Sequence, residues 1–166
     1  MLGSRSGIGA VAITREEIER EKKALPFGWG RFGKALDRLA EISQPNESLL
    51  SSCVALDPEY RQSGRYVPGT LGSVAHDLRQ STNVVLACTN ERLIMITTGV
   101  GGTPRTDVTI SFEGLEIVER GRRLFVLGAP EGRIKIRGAP KQQIPPFLEV
   151  LEAQARPGPE ASEPDD

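Results

Sequence analysis

From Ser48 onward the chain reads with a period of two. Val108, Ile110 and Phe112 alternate with Asp107, Thr109 and Ser111, and Ile134 and Ile136 alternate with Arg133, Lys135 and Arg137. Such alternation sends one face of a strand into a core and the other into water. Asn83 to Thr98, N-V-V-L-A-C-T-N-E-R-L-I-M-I-T-T, reads as two short apolar strands joined by the polar turn Thr89-Asn90-Glu91. Seven strands are predicted: Leu49–Leu56, Asn83–Cys88, Arg92–Thr98, Thr106–Phe112, Leu115–Glu119, Arg123–Leu127 and Arg133–Arg137. Ala129-Pro130-Glu131-Gly132 suits a type I turn followed by a glycine bulge. Gly121 marks a tight reversal, and Gly99 to Pro104 a looser loop.

The flanks carry helical patterns. Thr14 and Glu17 form a capping box, in which hydroxyl and carboxylate each satisfy a free backbone N–H. The run Arg15 to Leu25 holds four acids and four bases with few apolar positions, which predicts a mostly solvated helix. Pro26 stops it, and the linker Phe27-Gly-Trp29-Gly-Arg31-Phe32-Gly33 follows. A second helix is expected from Phe32 to Ile42, with Phe32, Leu36, Leu39 and Ile42 on one stripe. Near the C-terminus Pro145-Pro146 can open a helix, because proline lacks only an N–H that has no partner there. Phe147, Leu148, Leu151 and Ala155 form its apolar stripe, and Pro157-Gly158-Pro159 ends it. Residues 57–82 show no clear pattern; within them Leu71 to Leu78 is the stretch most suited to a short helix or strand. The resulting plan is a flexible N-terminus (1–13), a helical extension (14–44), a mainly β domain (45–155) and a disordered acidic tail (156–166).

Composition narrows the function classes. With 166 residues, one domain plus extensions can bury roughly two-thirds of the unfolded surface. The net charge of -1 supplies no global field to attract nucleic acid or an anionic membrane. The longest uninterrupted strand-like apolar run, Val84 to Cys88, is far short of the about 20 residues a membrane-crossing helix needs. The apolar stretch Ile8 to Ile13 is too short and too glycine-rich for a secretory signal, so a cytoplasmic location, or one peripheral to the membrane, is expected. Cys53 and Cys88 both lie in strand-like sequence and read as buried free thiols; a disulfide between them is left open.

The segments N-V-V-L-A-C-T-N-E-R-L-I-M-I, V-T-I-S-F-E-G-L-E-I-V, L-F-V-L-G and R-I-K-I-R-G, followed by the helix with F-L-E-V-L, together resemble the bacterial version of the pleckstrin-homology-like (PH-like) superfold. Their order and spacing over residues 48–155 carry the resemblance. It implies an α+β, mainly β fold: a seven-stranded antiparallel bent sheet or barrel capped by a C-terminal helix. It also implies a non-catalytic binding or scaffolding module that acts through a protein partner or self-association. Peripheral binding of anionic lipid headgroups is the alternative. The usual phosphoinositide motif is a basic cluster near the first inter-strand loop; here that region offers only Arg61, Arg65 and Arg79.

Candidate chemistry is sparse. Gly3-Ser-Arg-Ser-Gly7-Ile-Gly9 has the glycine spacing of a nucleotide loop but follows no strand, and the chain has no Tyr-x-x-x-Lys. His76-Asp77 with Ser73 supplies triad residue types without a nucleophile motif. One histidine and two strand cysteines give no zinc spacing, so no metal, cofactor or catalytic residue is assigned. Two surfaces remain as binding candidates. Phe27, Trp29, Arg31 and Phe32 suit either a dock for the helices or a partner-facing or membrane-interface anchor. Arg120, Arg122 and Arg123, with Arg133, Lys135 and Arg137, would form one anion-binding patch if their strands align.

Overall fold

The computed structural model describes residues 12–62, 83–130 and 132–156. β1 (Leu49–Gln62) joins the two halves of the molecule. It is followed by β2 (Asn83–Thr89), β3 (Leu93–Thr98), β4 (Pro104–Ile110), β5 (Glu116–Arg120), β6 (Leu124–Ala129) and β7 (Gly132–Arg137). These form one antiparallel sheet in the order β4-β3-β2-β1-β7-β6-β5. β4 and β5 are its two ends and do not pair with each other, so the sheet is open. Helices α1 (Arg15–Lys23) and α2 (Gly33–Ile42) precede the sheet, and α3 (Ile144–Gln154) follows it, giving an α+β architecture.

The expected end of β1 at Leu56 is corrected. β1 pairs with β2 from Leu49 to Leu56, then with β7 from Leu56 to Gln62. Pro58 looks like a strand terminator, but it lies where the β7 register shifts between Leu56 and Glu59. Proline has no N–H to give a ladder and is tolerated at such irregularities. The patternless stretch therefore begins at residue 63 rather than 57. Its remainder, including Leu71 to Leu78, lies outside the described residues, as do the 1–11 segment, Glu131 of the predicted turn, and the tail from 157 onward.

Alternating residues of the sheet feed two cores. Val84, Leu86, Cys88, Leu93 and Met95 join Phe125, Ile134 and Ile136 under α3, where Phe125 and Phe147 meet at 5.9 Å between ring centroids. The opposite side chains, Val54, Val85, Ala87, Ile94 and Ile96, pack against Ile13, Ile18, Phe32, Ala35, Leu36 and Leu39. Each Leu or Phe so enclosed contributes about 1.5–3 kcal/mol. β2 and β3 are buried along their whole length because their side chains enter both cores.

The helical hairpin is thus a layer of the fold. α1 buries only Ile18, as its mixed charge predicts, yet it is fastened by those charges. Glu17 accepts the N–H of Leu49 at 2.7 Å and the Ser48 hydroxyl at 3.1 Å, while its other oxygen completes the capping box with Thr14. Arg20 donates to the Leu49 carbonyl at 2.9 Å, and Ser52 donates to Glu21 at 2.6 Å. Among the described residues no helix is long and apolar enough to cross a membrane.

Candidate partner-binding surfaces

The linker between α1 and α2 folds into a defined turn. The Trp29 N–H donates to the Pro26 carbonyl at 3.0 Å, and Gly28 takes φ +88°. That is the position of a type II turn which suits glycine, and it leaves Phe27 at the apex. Phe27 is fully exposed, at 104% of its reference surface. Trp29 is half-buried and stacks on Phe32 with ring centroids 5.4 Å apart. The Arg31 guanidinium lies 4.9 Å from the Phe32 centroid and 5.7 Å from that of Trp29, and it donates to the Gly28 carbonyl at 3.2 Å. The turn is braced from the β3–β4 connection: a Cβ on Gly102 would lie 2.1 Å from the Arg31 carbonyl oxygen. Of the four candidates, the structure corrects Phe32, which has no exposed surface and belongs to the core. Phe27, Trp29 and Arg31 remain at the surface.

The basic candidates fall into separate places. Arg120, the last residue of β5, pairs with Glu152 of α3. Arg122 and Arg123 stand exposed in the β5–β6 turn. Arg133, Lys135 and Arg137 share the outer face of β7, as their alternation predicts, but Arg137 pairs with Glu59. Glu59, Glu119, Arg133 and Lys135 line one shallow groove of about 440 Å³, so carboxylates are interleaved with the cations. Arg137 lies opposite Leu124, beside Arg123, whereas Arg133 lies opposite Gly128 at the far end of β6. The strands align, so the two groups adjoin at Arg137 and Arg123 and diverge toward Arg133.

The two sheet ends differ. α2 lies near β4, where Arg38 bridges to Asp107 at 3.3 Å and to Glu41 at 2.6 Å. β5 is open: Glu116, Val118, Glu119 and Arg120 are exposed and Ile117 is half-buried. Its register with β6 shifts between Ile117 and Glu119, which leaves Val118 outside the ladder at 39% exposure.

No family model and no curated protein matches this chain. The arrangement of its own side chains is therefore the basis for a functional reading. Cys53 and Cys88 are free and buried, and burial pushes both thiols up to about 12, which removes them as nucleophiles near neutral pH. Among the described residues no group of three or more His, Cys, Asp or Glu side chains could hold a metal ion. Ser73, His76 and Asp77, the Gly3 to Gly9 segment, and Arg65 and Arg79 lie outside the described residues.

Sequence reasoning missed a buried polar hub beneath the T-N-E-R turn. Glu47, with no side-chain exposure, accepts from the Gln44 N–H at 2.9 Å, the Thr89 hydroxyl at 2.7 Å, and Arg92 at 2.9 and 3.1 Å. Arg92 also donates to the Ile42 carbonyl at 2.8 Å and the Thr109 hydroxyl at 2.7 Å. Asn90 completes the clamp by accepting the Ser48 N–H at 2.7 Å and donating to the Asn46 carbonyl at 3.1 Å. Burial alone would raise the Glu47 carboxyl, but the bonds from Arg92, Gln44 and Thr89 outweigh it and hold the group below its ordinary value. The groups in this hub satisfy one another, so it locks the helical hairpin to the β2–β3 turn. The only signal was a charged pair, Glu47 and Arg92, each beside a turn and 45 residues apart.

Proposed function

We propose that this chain is a PH-like, non-catalytic binding module that adds an extended segment, from a protein partner or a second copy of itself, to the edge of β5. Two meanders joined through β1, with a helix after the last strand, support the PH-like reading. The observation that carries the binding mode is the exposure of β5: it ends the sheet, four of its five side chains are exposed, and Arg120 at its last position makes its ion pair to α3. An exposed edge offers unpaired backbone N–H and C=O groups, and pairing with them needs little sequence specificity.

The test is light scattering over a wide concentration range together with pull-down from a lysate. Association is expected, and Val118→Pro abolishes it. Val118 lies at the β5–β6 register shift, an irregularity where proline is tolerated, so the substitution disturbs the edge with little cost to the fold. A strictly monomeric protein that retains no partner sinks the reading, and so does a Val118→Pro variant that associates as well as the wild type.

A further inference from the structure

We propose that the Pro26–Trp29 turn is an anchor that seats this protein reversibly on an anionic lipid surface. This goes beyond β5 pairing and rests on different residues.

Among the described residues Phe27 stands apart from the other large apolar side chains at the surface. Leu50 and Val118 are 37% and 39% exposed, whereas Phe27 has no cover at all. Its position is also built. The Trp29-to-Pro26 hydrogen bond, the left-handed Gly28, the Trp29–Phe32 stack and the Gly102 contact hold the ring outward. A convex, rigid apex is suited to entering a soft apolar medium, and it spends no loop entropy on doing so. Trp29 beside it pairs an apolar ring with an indole N–H, the kind of side chain that favours a lipid–water boundary.

The charges around the apex choose the partner. Lys23 lies in the last turn of α1 and Lys34 in the first turn of α2, ends held together by the Lys22 side chain against Gly33. Arg31 is in the linker, and Arg105 packs on Gly99 of the same connection that carries Gly102. All four cations are exposed, and among the described residues none is paired with a carboxylate. The neighbouring acids are already engaged: Asp37 with Lys22 at 2.6 Å, and Glu41 and Asp107 with Arg38. Lys34 and Arg105 share a groove with Asp37, Arg38, Glu41 and Asp107, while Arg31 lies in the linker itself; an aromatic apex with unpaired cations on the same side complements anionic headgroups over an acyl boundary. One aromatic ring and a few surface charges give weak, salt-sensitive adsorption, so the seating is reversible.

The experiment uses the full chain and vesicles of phosphatidylcholine with or without about one-third phosphatidylglycerol. Trp29 is the sole tryptophan and reports from within the turn. Its emission is expected to shift to the blue and to be quenched by acyl-chain bromines on anionic vesicles only, with the effect falling as salt rises. Phe27→Ala, whose ring touches no core, should leave the melting temperature unchanged and weaken partitioning roughly ten-fold. Lys34→Glu with Arg105→Glu should weaken it further. Unchanged Trp29 emission on anionic vesicles overturns the proposal, as does Phe27→Ala partitioning as strongly as the wild type. Neither result bears on β5, because association in solution is measured without lipid.

Discussion

Glu47 and Arg92 carry the sharpest consequence at the scale of single residues. The carboxylate is wholly enclosed and the guanidinium nearly so, at 0% and 12% side-chain exposure. Removing one partner leaves the other desolvated and unpaired, which costs about 3–5 kcal/mol. Glu47→Ala is therefore expected to lower the urea midpoint strongly at pH 7. Because the folded group titrates below its ordinary value of 4.5, its contribution is fully present above that value and is lost as pH falls through the folded value. The gap between wild type and variant should narrow on acidification below pH 4.5; a gap independent of pH would show that charge plays no part. Glu17, also held below its ordinary value, adds to the same acid loss despite the opposing effect of its burial. Little of this was legible in the chain. Cys53 and Cys88 read as core from their strand context, and both are buried. Glu47 and Arg92 each look like an ordinary surface charge, because their pairing depends on contacts across 45 residues that no local pattern encodes.

At the scale of elements, α1 shows what a local motif does and does not reveal. Thr14 and Glu17 announced the capping box, and the structure contains it. The second Glu17 oxygen, bonded to Leu49 and Ser48 on β1, was not legible because a capping motif says nothing of what the helix docks against. Glu17→Ala removes both roles and should cost roughly 2 kcal/mol. Hydrogen exchange distinguishes this loss from simple fraying: the Leu49 amide, whose acceptor is deleted, should lose protection along with the first turn of α1. If only the helix amides respond, the carboxylate does not fasten α1 to the sheet. β1 gives the opposite lesson. Its continuation past Leu56 was hidden by Pro58, since propensity reads proline as an end unless the register shift that accommodates it is known.

At the scale of the molecule, period-two alternation and short apolar runs located the seven strands of the described residues, whose ends differ from expectation by a few residues apart from the extension of β1. It could not show that the sheet has two covered faces. The continuous apolar runs of β2 and β3 were the sign, because strands buried on both faces lose their alternation. The hairpin of α1 and α2 supplies the second cover, so it should not behave as a detachable extension. Deleting residues 1–43 strips the layer over Val54, Val85, Ala87, Ile94 and Ile96 and removes the Ile42 carbonyl that receives Arg92. A contiguous apolar face of that kind drives association or collapse of the remaining fold. The truncated chain is expected to bind a hydrophobic dye and to aggregate or melt without cooperativity, whereas the full chain melts in one transition. A soluble, monomeric 44–166 fragment with the melting temperature of the intact protein would make the hairpin an accessory. It would also show that the sheet is stable on α3 and the inner core alone.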